Sequence, residues 1–355
     1  MNKINISSIN DFEPAIKGKR LILFGAGRAL QGFFMNFAGK DFLTQVAYAV
    51  DNNKTIQHTV ISVGSRDLRI ESPEYLEKDV SKDIVIIVTN NLNPEIYIQL
   101  DNMPQLKDIQ VYSGKELSEL LIDEQLVNVQ LPDSFKVYSE IQIPKVIHYC
   151  WFGGNPIPLQ YKEWMASWKK FCPDYEIMEW NESNYDFRKN PYMEQAYKAG
   201  KWAFVSDYAR LDIIYEHGGL YFDTDVELIK NMDDFLYQDG FGGYQPDRRF
   251  ASGLGIGARK GLAVLKKFRD LYDDRNFVDF EKKSERWSKK IKITPDILTE
   301  YLSEHGYNYT NGIVDIDGFR IYPAPVLCGL IGQKLYLTDK TYAIHHFAGS
   351  WMPEK

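Results

Sequence analysis

The 355-residue sequence predicts an α/β protein of two domains, and three features carry that expectation. Through the N-terminal third, short apolar runs alternate with amphipathic stretches, the pattern of strands joined by helices in a parallel sheet. At Leu131-Pro132-Asp133 a helical stretch ending near Val129 gives way to a new apolar run, which places a domain boundary there. Further on, a long helical pattern stops at two glycines and passes directly into a short strand-like segment bearing two aspartates. With an apolar share of 44%, a chain of this length can fill two ordinary cores.

The N-terminal elements follow in order. Arg20–Phe24 is a buried strand, and Gly25-Ala26-Gly27 opens a turn into a helix. Val46–Val50 is a second strand ending at Asp51, and 83–89 is a third. Residues 1–132 are therefore expected to form a small Rossmann-like parallel-sheet domain. Gly25 and Gly27 suit a tight turn and close phosphate approach, and Asp51 suits a ribose hydroxyl, so these three are the candidate cofactor-binding residues. Leu30 occupies the third glycine position of that fingerprint, which leaves it incomplete.

In the second domain, 140–355, an apolar strand over 143–150 ends at Trp151, ahead of Gly153 and Gly154. An aromatic ring at the carboxyl end of a strand can stack on a nucleotide base or simply pack its own loop. The next long helix places Asp207 and Arg210 three residues apart on one face, with Phe204, Leu211, Ile214 and Tyr215 as an apolar stripe. Gly218 and Gly219 can take the left-handed conformation that ends a helix. A strand over 220–226 would then point Tyr221, Asp223 and Asp225 to one side. Two carboxylates so placed repel each other unless a cation lies between them, and hard oxygen ligands favour magnesium or manganese. Spacing alone is weak evidence: Asp315-Ile316-Asp317 has it too, and with Gly318 behind it reads as a strand end and turn.

Three ordered motifs sharpen the reading. Ser206-Asp207-x-x-Arg210 with Gly218-Gly219-x-Tyr221-x-Asp223-x-Asp225 resembles the signature of glycosyltransferase family 32 and the related large clostridial glucosylating toxins. Pro144-Lys145-Val146-Ile147-His148-Tyr149-Cys150-Trp151-Phe152-Gly153-Gly154 resembles the first strand and nucleotide loop of that family, and Ile344-His345-His346 through Ser350-Trp351 resembles its closing motif. The likeness covers about residues 140 to 355. It implies a glycosyltransferase-A-like catalytic domain that moves a hexose from a nucleotide-diphosphate sugar, a UDP-sugar, with retention, to a glycan or lipid-linked glycan in bacterial capsular or other surface polysaccharide synthesis.

The resemblance also implies roles. Asp207 and Arg210 would bind the donor sugar, with Asp223 and Asp225 completing the catalytic set. Trp151 would stack on uracil and Tyr221 would line the nucleotide pocket. Asp225 would ligate manganese or magnesium directly, with Asp223 acting through water or ribose and His345 as third ligand. Ser350 and Trp351 would close over the diphosphate. The segment from Gln245 to Ala258 either shapes the acceptor and sugar pocket or is a turn and strand with small residues for packing. Family members often carry Thr-Gly-Pro where this chain has Thr294-Pro295-Asp296, so capping of a helix accounts for Asp296 adequately. The N-terminal segment resembles accessory domains of polysaccharide-assembly enzymes, including Asp51-Asn52-Asn53 and Ile70 to Leu76 leading into a helix.

Composition sets further limits. A net charge of -7 and a pI near 5.5, without a basic run, argue against a nucleic-acid partner. Cys150, Cys172 and Cys328 are odd in number and lack metal-ligand spacing, which fits a reducing compartment. No apolar stretch has the length of a signal peptide or a transmembrane span, so a cytoplasmic protein is expected, with peripheral contact at the inner face of the membrane left open. Two other readings stand beside the transferase. One is an NAD(P)-dependent nucleotide-sugar oxidoreductase or epimerase run by the N-terminal sheet; the other is a non-catalytic sugar-nucleotide-binding subunit.

Overall fold

The computed structural model describes residues 2–37, 39–63, 66–79, 83–89, 94–127, 129–277, 292–309, 312–331 and 334–349. The chain divides into two compact units, Met1–Asn128 and Val129–Lys355.

The first unit holds a seven-stranded sheet. Its strands are β1 (Asn2–Lys3), β2 (Arg20–Phe24), β3 (Val46–Val50), β4 (Thr59–Val63), β5 (Arg66–Glu71), β6 (Ile84–Val88) and β7 (Gln110–Ser113), in the order β1-β7-β6-β2-β3-β5-β4. All neighbours are parallel except β4, which pairs antiparallel with β5. β2 and β6 are central and covered on both faces, which is why they read as unbroken apolar runs. Their alternate side chains feed two cores: Leu21, Leu23, Val85 and Ile87 on one face, Ile22, Phe24, Ile86 and Val88 on the other. The β4-β5 hairpin was not foreseen, because an edge pair with Arg66, Asp67 and Arg69 lacks the apolar run of a buried strand. The segment after Ile70 continues as strand to Glu71 and then makes only a single 3-10 turn, Pro73–Glu77, in place of the expected helix.

The second unit is built on an eight-stranded sheet. Its strands in chain order are β8 (Val146–Cys150), β9 (Glu176–Trp180), β10 (Gly219–Tyr221), β11 (Val226–Leu228), β12 (Gly240–Tyr244), β13 (Phe250–Ala251), β14 (Ile256–Ala258), β15 (Val314–Ile316), β16 (Phe319–Tyr322), β17 (Leu330–Ile331), β18 (Lys334–Leu335) and β19 (Ala343–His345). The main order is β15-β16-β12-β14-β10-β8-β9, with β13 on β12, while β11-β19 and β17-β18 form separate pairs. β9, β8, β10, β12 and β16 run one way; β14 and β15 run against them. This mixed, mostly parallel sheet gives the second unit the expected α/β architecture.

Two expectations need correction. β8 begins at Val146 rather than 143, because Pro144 cannot donate to a ladder. The strand expected over 220–226 ends at Tyr221: after a last bond from the Phe222 N–H to the His148 carbonyl at 3.2 Å the chain leaves the sheet, and Val226 N–H closes a turn onto the Asp223 carbonyl at 3.0 Å. Aspartate is a poor strand former, and two successive outward carboxylates gain nothing from the ladder.

The helix Trp202–His217 is buried well beyond a single stripe, with Phe204–Ser206 and Tyr208–Ile214 all inside. It packs against the helices Pro191–Lys198 and Ala263–Asp270 as well as the sheet. Gly218 (φ 71°) and Gly219 (φ 98°) then reverse the chain in the left-handed region. A β-carbon on Gly219 would lie 2.8 Å from the Val146 carbonyl oxygen, so the helix end can sit against β8 only with glycine there.

Candidate active site

A cleft of about 670 Å³ opens at the carboxyl edge of the second sheet, where ligands of open α/β sheets bind. β8, β10 and β12 point their carboxyl ends the same way, so the residues after each of them reach this cleft. Trp151 follows β8, Asp223 and Asp225 follow β10, and Gln245, Asp247 and Arg249 follow β12. The helix Trp202–His217 supplies Asp207 and Arg210, and β19 supplies His345.

Arg210 is the hub. Its guanidinium lies 3.1 Å from Asp207 and 3.2 Å from Asp223, and its Nε donates to the Ser206 carbonyl at 3.1 Å. Its flat face covers the Tyr221 ring at 5.3 Å, and the Tyr221 hydroxyl donates to Asp223 Oδ1 at 3.0 Å. The helix face and the turn after β10 are thus joined through one cation. Burial works against the charge on Arg210, but Asp223, Tyr221 and Asp207 more than offset it and raise its pKa. Burial pushes the Asp207 carboxyl up, with Arg210 opposing. Burial also raises Asp223, against Arg210 and with the help of the neighbouring Asp225 charge.

Although the two aspartates are not on a strand, the turn still brings them together. Oxygen atoms of Asp223 and Asp225 and a ring nitrogen of His345 all lie within 4.8 Å of one another. His345 Nε2 is 3.4 Å from Asp225 Oδ1. β11 pairs antiparallel with β19, with Val226 opposite His345, which carries the histidine to the carboxylates from more than a hundred residues away. Two carboxylates share the Arg210 guanidinium and a third, Asp225, lies beside His345, so this part of the cleft carries an excess of carboxylates suited to a divalent cation. Two carboxylates and an imidazole are a donor set that can hold a divalent cation, with coordination positions left for other ligands.

Trp151 is half-buried at the cleft mouth; its indole N–H donates to the Asn155 carbonyl at 2.6 Å and its ring meets Tyr161 edge-on. Tyr221 is buried beneath Arg210 and Asp223. Ser350 and Trp351 lie outside the described residues, but the preceding segment reaches the cleft: the Ala348 N–H donates to Asp225 Oδ2 at 2.9 Å. His346 turns away, with Nε2 2.9 Å from Glu227 and its ring on Trp164.

Of the two readings of the segment from Gln245 to Ala258, its place along the cleft fits the pocket-shaping one. At Gly253 a β-carbon would run into the Asp223 carboxylate and approach Arg210 to 3.1 Å. Asp247, Arg249 and Asp296 form an ion cluster on the same wall, so Asp296, expected only to cap its helix, also fixes a cleft residue. In the N-terminal unit, Gly25 has φ 107° and the Asp51 carboxylate accepts from the Ala26 N–H at 2.7 Å and from the Asn53 N–H at 2.8 Å. Asp51 is thus engaged with the chain's own glycine turn.

Among the described residues no helix is long and apolar enough to cross a membrane. All three cysteines are free and buried.

Comparison with known proteins points to a glycosyltransferase. The family described as glycosyltransferase sugar-binding region containing DXD motif matches residues 158–241. An uncharacterized glycosyltransferase of Acanthamoeba polyphaga mimivirus is 29% identical over 226 residues, covering 59% of this chain and 84% of that one. Inositol phosphoceramide mannosyltransferase 3 of Schizosaccharomyces pombe is 29% identical over 29% of this chain, which spans only 30% of the yeast protein. Among solved structures, a PaToxG glycosyltransferase aligns with a TM-score of 0.37 and 22% identity, over 52% of this chain and 74% of its own, too partial a likeness to carry an argument.

Proposed function

We propose that this chain, a glycosyltransferase similar to family 32, is a metal-dependent hexosyltransferase. In this reading it takes the sugar from a UDP-sugar and passes it, with retention, to a glycan or lipid-linked glycan in bacterial surface polysaccharide synthesis, such as a capsule. What carries the reading is the convergence of Asp223, Asp225 and His345 beside the Asp207–Arg210 pair. Manganese or magnesium held by those three groups would supply positive charge to the leaving diphosphate.

The remaining work falls to the chain's own side chains. Asp207 accepts hydrogen bonds from hydroxyls of the donor sugar, and Arg210, fixed by Ser206 and Asp223, donates to sugar or phosphate oxygen. Trp151 stacks on the base and Tyr221 holds Asp223 in place. Ser350 and Trp351 donate to the diphosphate and help exclude water. The bond between the anomeric carbon and the diphosphate oxygen breaks, the acceptor hydroxyl oxygen bonds to that carbon on the same face, and its proton passes to the departing diphosphate oxygen. Preorganised donors and charges aimed at the leaving group lower the barrier because they need no reorganisation when charge develops.

The name of the yeast relative includes a sphingolipid, inositol phosphoceramide, which favours a lipid-linked acceptor; peripheral contact at the inner face of a membrane belongs to the same reading. The N-terminal unit is read as a Rossmann-like accessory domain joined near 132. Screening UDP- and GDP-sugars for manganese-dependent hydrolysis tests the reading, with Asp225→Asn as the control. The variant is expected to lose metal-dependent turnover and keep its cooperative melting; full activity in that variant would refute the metal assignment.

A further inference from the structure

Resting on the donor reading above, we infer that Asp247 and Arg249, clamped by Asp296, form the acceptor-side wall of the cleft and bind hydroxyls of a neutral glycan. The first support is the order of strands. Along the sheet the sequence is β8, β10, β14, β12, and β8, β10 and β12 all end at the cleft. Neighbouring strands are spaced by about 5 Å, so the loop after β12 lies about 10 Å beyond the carboxylates that follow β10, on the side away from Trp151. A nucleotide sugar is linear: base, ribose, diphosphate, sugar. With its base at Trp151 and its diphosphate at Asp223 and Asp225, the sugar falls over Asp207, Arg210 and Ser252. What comes next along the edge is Asp247 and Arg249.

The second support is hydrogen-bonding capacity. Arg249 Nε and Nη2 donate to Asp247 Oδ2 at 2.9 and 2.6 Å, Nη1 donates to Asp296 Oδ1 at 2.7 Å, and the Arg249 N–H donates to Asp247 Oδ1 at 3.2 Å. A guanidinium has five N–H groups and a carboxylate about four acceptor directions. Among the described residues, two donors on Arg249 and one acceptor direction on Asp247 remain for a ligand, and both residues line the cleft. Paired donor and acceptor capacity is what a sugar hydroxyl, itself donor and acceptor, can use.

The third support is rigidity. Gln245 N–H donates to the Arg249 carbonyl at 2.7 Å and Arg248 N–H to the Gln245 carbonyl at 2.9 Å, closing a tight turn. Asp296 is fixed in turn by the first turn of the helix Thr294–Glu304, where it accepts from the Ile293 N–H at 3.3 Å. A wall held from both sides keeps its geometry when an acceptor arrives. With two carboxylates around one guanidinium, the cluster also disfavours an anionic acceptor.

The test uses the full-length protein with manganese, the UDP- or GDP-hexose it hydrolyses, and a panel of α- and β-methyl glucosides, galactosides and mannosides. In Asp247→Asn, which keeps the side-chain shape, the ratio of transfer to hydrolysis is expected to fall by about tenfold or more through a higher glycoside KM. Asp247→Glu, which keeps the charge and moves it, is expected to change the order of preference within the panel. Loss of transfer and hydrolysis in equal measure, with a raised donor KM, would put the pair on the donor instead; an unchanged ratio and preference would make it a structural clamp only. A wild-type protein that hydrolyses donor yet neither transfers to nor binds any of the glycosides overturns the acceptor assignment and leaves the donor reading standing. A wild-type protein that consumes no nucleotide sugar removes both.

Discussion

The imidazole of His346 lies flat on the indole of Trp164, with ring centroids 4.2 Å apart and planes within 9°. The neighbouring His345 faces the opposite way, toward Asp225. One histidine of the pair therefore anchors the segment to the helix Leu159–Phe171, while the other is presented to the cleft. The His346 N–H donates to the Asp225 carbonyl at 2.9 Å, which ties the same segment to the carboxylate turn.

Removing that anchor should loosen His345 without emptying the core. Trp164→Leu is expected to lower stability by about 1 kcal/mol, the order of a stacked aromatic pair, and to raise the manganese concentration needed for half-maximal donor hydrolysis several-fold. A metal titration decides it, since a stack that only packs would leave the half-saturation point in place.

Gly253 permits the Asp223 carboxylate to lie against the backbone after β13. Gly253→Ala should push that carboxylate away from Arg210 and weaken metal binding by about 10-fold or more, as changes to groups that orient metal ligands commonly do. Calorimetric titration with manganese measures this; wild-type affinity in the variant would show that Asp223 has room to move.

Trp151 offers one half-buried ring at the cleft mouth. Trp151→Ala is expected to weaken UDP binding by about 1 to 3 kcal/mol, the range of base stacking on an aromatic side chain. Equal affinity in the two proteins would remove the base from this position.

His148 is 1% exposed, accepts at Nδ1 from the Trp180 indole N–H at 3.0 Å and donates from Nε2 to the Gly218 carbonyl at 2.9 Å. Burial lowers its pKa from the usual 6.5 to about 4. The unfolded chain then binds a proton at a higher pH than the folded one, so the contribution is complete above about pH 6.5 and is lost as the pH falls toward 4. The loss amounts to at most about 3 kcal/mol. Denaturant unfolding of wild type and His148→Gln across this range should show a steeper fall for wild type; parallel curves would mean that His148 does not govern the acid limb.

How much of this was legible in the chain differs from element to element. β2 and β6 announced themselves because a strand covered on both faces must be apolar throughout. The helix Trp202–His217 and its double-glycine stop were equally plain, since a left-handed turn against β8 admits no side chain. The edge hairpin β4-β5 was not, because solvent on its outer side lets charged residues in.

Within the cleft, local spacing by itself determined the Asp207–Arg210 pair: three residues on a helix place two side chains within reach whatever surrounds them. It also marked Asp223 and Asp225 as neighbours, though it assigned them to a strand. Only the tertiary structure decided that a turn after Tyr221 would gather them, that β19 would bring His345 across from the far end of the chain, and that Gly253, Asp247 and Arg249 would wall the same space. Helix and strand periodicities act over a few residues and are written in the sequence, whereas strand order, which sets what stands beside what along the sheet edge, arises from packing between segments far apart in the chain.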